Sequence, residues 1–339
     1  MNEAQEGINY DIENRRIKEY HYVNKKSGEF TKLTKDDVLY GYENRGLFSK
    51  FNYHKSQETF IMVPCIQFQK NLKDYFKMNF KDLGMLLYLM TFSRYRKLSI
   101  KENEEVCHFS IKNRSQFLKN NRDLKEILKE NDNVIKKFKK KLKDNGILYE
   151  DEKGYYIKKS HLIKGKIYGI EKKIGYHKIS IEYIQEIVKE FRNKKVDNYY
   201  HAIGFLFSLL PYINVSYENG DGMEVKPSYN RLVNKNYSYE KGYYLPISKA
   251  ELASKMKVSL NTIYNHVNKL NSITKSIYNE RLIFEGEIYH NGSHEKKIVS
   301  WFINPKFTFT NDKSSFEYRA LVELAKNSEN IQEVVNERN

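Results

Sequence analysis

The stretch SKAELASKMKVSLNTIYNHVNKLN, residues 248–271, decides the reading of this chain. Ser248 and Glu251 have the spacing of a capping box, in which the hydroxyl accepts from the amide three residues on and the carboxylate returns the bond. Leu252, Ala253 and Met256 supply the buried side of the helix so started. Val258-Ser259 makes a turn, and Ser259 caps a second helix. In Leu260–Asn271, Ile263, Val267 and Leu270 recur at i, i+4 and i+7 on one face. Two short capped helices across a tight turn form a helix-turn-helix. Downstream, Leu282 to Phe309 reads as a β-hairpin wing with its tip near His290-Asn291-Gly292-Ser293-His294.

The same order occurs earlier in the chain. A strand at 60–66 holds Pro64, which suits an edge or a bulge. The apolar spacing of Leu83, Leu86, Leu87 and Met90 predicts a helix over 80–95. A strand over 105–109 is followed by helices over 111–129 and 132–144, the second ending at Asn145-Gly146, a favoured C-terminal cap pair. Ile147-Leu148-Tyr149 and Tyr155-Tyr156-Ile157 flank the turn Asp151-Glu152-Lys153-Gly154 as a hairpin. Asn133-Val134-Ile135 and Lys141-Leu142 match Asn261-Thr262-Ile263 and Lys269-Leu270 at one offset, and residues 156–163 echo residues 302–309. An internal duplication accounts for this.

The expected fold class is mostly α with small β-wings (α+β): two winged helix-turn-helix domains in tandem plus an N-terminal arm and a C-terminal helix. The expected boundaries are a polar, aromatic arm over 1–57, a basic first winged-helix domain over 58–170, a linker helix over 171–196, a second winged-helix domain over 197–312 and an acidic amphipathic helix over 313–339. Within the second domain, Tyr199–Leu210 is helical up to Pro211, and about 214–242 is an insertion without a counterpart in the first copy. The C-terminal helix either packs on its own domain or carries a dimer or partner contact.

With 59 Lys+Arg against 43 Asp+Glu, the 339 residues carry a formal charge of +16, which calls for an anionic partner. The rival account is a basic composition shared by the whole chain, so the location of the charge decides. Residues 112–144 hold twelve Lys/Arg against five Asp/Glu. In the helix over 132–144, Ile135, Phe138 and Leu142 form the buried seam. Lys136, Lys137, Lys139, Lys140 and Lys143 are left facing out, suited to gripping phosphates. The exposed side of the helix from Leu260 offers Asn261, Thr262, Tyr264, Asn265, His266 and Asn268. Amides and hydroxyls pair with base edges, so Asn261, Thr262 and Asn265 are the candidate readers, with Tyr264 and Lys269 on phosphates and Ser259 as the cap.

The capped helix, the Ser-started third helix, the wing and the exit Phe302-Ile303-Asn304-Pro305 resemble winged-helix DNA-binding proteins of Gram-positive plasmids and phages, with RepL-type plasmid replication initiators the nearest family. The resemblance covers each module but neither arm nor tail. It implies sequence-specific binding of double-stranded DNA, either as a replication initiator on origin repeats or as a transcriptional regulator of a mobile element. A homodimer and host replication or transcription proteins are further partners under these readings.

No catalytic residue, cofactor or metal site is expected, and an enzyme acting on nucleic acid is the third and least favoured reading. A phosphate-binding Gly-rich loop and a dinucleotide fingerprint are both missing, and Cys107-His108 has no further ligand beside it. The two cysteines form no disulfide framework, which favours a reducing, cytoplasmic setting. The longest strongly apolar stretch, near Leu83–Phe92, is about half of the ~20 residues that span a bilayer, so no membrane association is expected.

Overall fold

The computed structural model describes residues 4–11, 16–24, 30–33, 60–64, 72–95, 97–99, 104–111, 116–165, 176–213, 230–234, 245–289, 297–309 and 316–327. The chain divides into two compact units, Met1–Glu58 and Thr59–Asn339. The first unit holds an antiparallel meander of β1 (Ala4–Asp11), β2 (Arg16–Asn24) and β3 (Phe30–Leu33), with a bulge at Asn9/Tyr10.

The second unit is α+β with small sheets. Its first copy runs β4 (Phe60–Pro64), α1 (Leu72–Phe76), α2 (Phe80–Met90), β5 (Lys97–Ser99), β6 (Glu104–His108), α3 (Asn121–Leu128) and α4 (Asp132–Asp144). Before α3 lies the small pair β7 (Ser110–Ile111) and β8 (Gln116–Phe117), and after α4 comes the hairpin β9 (Tyr149–Glu150) and β10 (Tyr155–Lys158). The sheet order β5-β6-β10-β9 places the strand that precedes the helix pair beside the last strand of the hairpin.

The second copy runs β11 (Tyr176–Ser180), α5 (Ile181–Asn193), α6 (Tyr199–Ser208), a 3-10 turn over Leu210–Tyr212, β12 (Val233–Asn234) and β13 (Leu245–Pro246). It continues with α7 (Lys249–Met256), α8 (Leu260–Tyr278), β14 (Ile283–Tyr289) and β15 (Lys297–Ile303). Arg231 bridges Phe302, and the Leu232 amide donates to the Trp301 carbonyl at 2.8 Å, so the residues leading into β12 touch the hairpin's last strand, although β12–β13 and β14–β15 are separate sheets. α9 (Phe316–Asn327) buries Leu321 and Ala325 against Phe284 and Phe302, so the C-terminal helix packs on the hairpin of its own copy.

Local chemistry sets the helix bounds. Asn120 with Asp123 and Ser248 with Glu251 both close capping boxes, while Asn131 and Ser259 cap α4 and α8. Each pair is 128 residues apart, as are the left-handed C-caps Lys129 and Lys257. Such a cap is worth about 1 kcal/mol, and it corrects one expectation: the helix expected from residue 111 begins only at Asn121, because residues 110–111 pair with 116–117 and Asn120 takes the cap. Two other bounds shift. α8 continues past Asn271 to Tyr278, since Ile273 and Thr274 extend its buried face. The linker opens as a strand, and Ser180 caps the helix that follows.

The two copies meet through reciprocal contacts. β4 and β11 pair antiparallel about Met62 and Lys178. Ile163 bridges Met62 on one flank, and β16 (Thr308–Phe309) pairs with β11 on the other. Residues 307–309 therefore leave the second hairpin, with which the sequence reading grouped them. α2 and α6 cross where Gly84 faces the Tyr200 carbonyl and Gly204 faces the Phe80 carbonyl. A Cβ would lie 2.0 Å and 1.7 Å from those oxygens. Lys73 of α1 donates to the Met256 carbonyl that ends α7 (3.1 Å), and Arg192 of α5 donates to Ile127 and Leu128 at the end of α3 (2.9 and 3.2 Å). Each copy's leading helix thus caps the other copy's helix pair, the pattern that a twofold axis between the copies produces. The boundaries expected near residues 170, 196 and 312 all fall inside this one unit.

Candidate nucleic-acid interface

The candidate surface is the outward side of α4 and of its counterpart α8. In α4, Ile135, Phe138 and Leu142 are fully buried, which turns Lys136, Lys137 and Lys140 outward. These three ammonium groups are exposed and, among the described residues, without partners. Lys139 and Lys143 are placed differently. Lys139 is half-buried and donates to the Tyr155 hydroxyl (3.3 Å), and Lys143 pairs with Glu150 across 2.6 Å. Both lie near the Tyr155 ring. Lys141 pairs with Asp82 of α2 and ties the helix to the crossing.

In α8, Ile263, Val267 and Leu270 are buried, leaving Asn261 and Asn265 exposed. Ser259 accepts from the Thr262 amide at 3.1 Å, and the two hydroxyls lie 2.9 Å apart, so Thr262 is half-buried and engaged in the cap. Tyr264 is half-buried against the core, with the Lys249 ammonium 5.5 Å from its ring centre. Lys269 donates to the Asp197 carbonyl at 2.9 Å.

His266 corrects the sequence reading, which set it on the exposed side. Its ring lies between Phe80 and Phe205, with centroids 5.5 and 5.3 Å away. Burial, with His201 and Lys269 adding to it, lowers its pKa to about 4, so the imidazole is neutral. Phe138 occupies the matching place in α4.

Sequence reasoning passed over two features. Leu260, the first residue of α8, is 40% exposed. Its signal was present, because Val258 and Ile263 already bracket the cap as an apolar pair. Arg192 gathers Tyr88, Tyr199, Tyr200 and the end of α3, a set brought together from four elements that no local pattern connects.

The second hairpin's tip, over 290–296, and most of the 214–242 insertion lie outside the described residues. Among the described residues, no group of three His, Cys, Asp or Glu side chains is set to hold a metal ion, and no helix is long and apolar enough to cross a membrane. Comparison of the chain with protein-family models, with curated proteins and with solved structures finds no match.

Proposed function

We propose that this chain is a tandem winged-helix protein that binds double-stranded DNA sequence-specifically and acts as a replication initiator of a plasmid or phage. The observation that carries the reading is the repeated helix, strand, helix, helix, hairpin order, with the hairpin's last strand paired to β6 in the first copy and bridged at Arg231 in the second. This order supports the winged-helix reading, in which the third helix enters the major groove. Its outward face bears exposed lysines in α4 and exposed amides in α8.

The two faces divide the work. Lys136, Lys137 and Lys140 are point charges that neutralise phosphates without reading sequence. Asn261 and Asn265 carry carboxamides that pair with base edges. On this reading the reciprocal contacts between the copies set both helices on one duplex as unlike half-sites in inverted orientation. Such a composite site fits a chain that must mark one place on a replicon.

The test is occupancy of the full-length protein across the DNA of its native host. A single cluster of repeated sites at an origin is expected. Scattered promoter sites would replace initiation by transcriptional regulation, and the absence of any preferred site would overturn specific binding.

A further inference from the structure

We infer that α8 reads A·T base pairs, with Leu260 placed against a thymine methyl group; this rests on the DNA-binding reading above. Leu260 is one of only three large apolar side chains exposed among the described residues. The helix does not need it there. The apolar contact that fixes the start of a helix is made from the residue before the cap; here that residue is Val258, half-buried against the core, and Ile263 one turn on is fully buried. In α4 the matching position is Asp132, which ion-pairs with Lys125 at 3.0 Å. An exposed leucine is therefore a property of this copy alone.

Its neighbours narrow the ligand. Asn261 and Asn265 are exposed, and Asn268 follows half-exposed in the same lane. Lys269, the nearest ammonium on the helix, is turned to the Asp197 carbonyl. A lane of neutral amides with one apolar end does not suit phosphates, which need charge. It suits an A·T pair, where a carboxamide meets adenine N7 and N6 together and the partner thymine presents a C5-methyl. Guanine offers two acceptors, which an amide satisfies only with its NH₂ group, and G·C carries no methyl. From Asn261 to Asn268 the helix rises about 10 Å, the length of about three base-pair steps.

The experiment uses the full chain and a pool of randomised duplexes. The expected enriched sequences hold a short A·T run in the half-site whose preference Asn265→Ala alters. Replacing thymines there by deoxyuridine, one at a time, should weaken binding about fourfold at one position, the value of burying one methyl-sized group. Leu260→Ala, with an unchanged melting temperature, should bind the thymine and uracil duplexes equally. Enrichment of G·C in that half-site, or a Leu260→Ala protein that still distinguishes thymine from uracil, overturns the inference and leaves DNA binding standing. A pool with no enriched sequence overturns the proposed function itself.

Discussion

Gly84→Ala tests the arrangement of the whole second unit, because its sign is opposite to what a helix alone dictates. In an isolated helix the change is stabilising by about 1 kcal/mol, since glycine has more backbone entropy to lose. In this structure the new Cβ would lie 2.0 Å from the Tyr200 carbonyl oxygen and 2.9 Å from the Gly204 amide nitrogen. Both neighbours are backbone, so no rotamer change relieves the clash. An ordinary contact begins near 3.4 Å, and α2 and α6 must separate by about 1.4 Å to reach it. Around the crossing, Leu83, Leu87, Ile203 and Phe207 are fully buried, and a gap of that size forfeits much of their dispersion contact. Overpacking costs about 3 kcal/mol at such a site; less the propensity gain, the net loss is about 2 kcal/mol. For a unit of this size the melting temperature falls by about 4–8 °C. Adding Gly204→Ala should cost much less than it does alone, because the helices are already apart, giving a coupling of about 1 kcal/mol or more. Thermal unfolding of the two single variants and the double variant is the assay. A raised melting temperature in Gly84→Ala, or strict additivity, would refute the reciprocal crossing.

Other outcomes follow from the same geometry. Replacing Lys136, Lys137 and Lys140 together by Ala should weaken binding to all duplexes alike and flatten the salt dependence by about three units of log–log slope, at about 0.9 per phosphate contact; a changed sequence preference would mean that α4 reads bases. Asn265→Ala should cost about 1–3 kcal/mol at the preferred site and relax one base position, and a variant that keeps its full preference would remove α8 from the interface. His266 has a folded-state pKa near 4 against an ordinary value near 6.5. The unfolded chain therefore takes up the proton first, and stability is lost as pH falls from about 6.5 to about 4, by about 2 kcal/mol after allowance for partial solvent contact. His266→Phe, which copies Phe138, should flatten the melting temperature over that window; an unchanged pH profile would show that His266 is solvated.

What was legible in the sequence was local. The caps at Ser248, Ser259 and Asn145, the seams of α4 and α8, and the turn at Asp151–Gly154 depend on residues within one or two helical turns of each other, and the structure places them as expected. The repeat offset was legible because those same residues carry it. The misplaced elements were decided from elsewhere. His266 is half-buried against Phe80 and Phe205, each outside the helix pair that contains it. Lys139 is half-buried because the Tyr155 hydroxyl draws it to the hairpin. Residues 308–309 pair with a strand some 130 positions earlier. A periodicity argument has no access to partners at such separations, and the crossing of Gly84 and Gly204, 120 positions apart, is another contact of that kind.

The crossed caps bear on how the chain is made. The end of α3 is satisfied by Arg192, more than sixty residues downstream, and the end of α7 by Lys73, more than 180 residues upstream. On the ribosome the first copy is complete in sequence before its closing residue emerges, so the last carbonyls of α3 stay open to water until Arg192 has been synthesised. Contacts of this range slow folding. They also mean that a cut between the copies does not yield two working halves: each half would carry away the side chain that finishes the other.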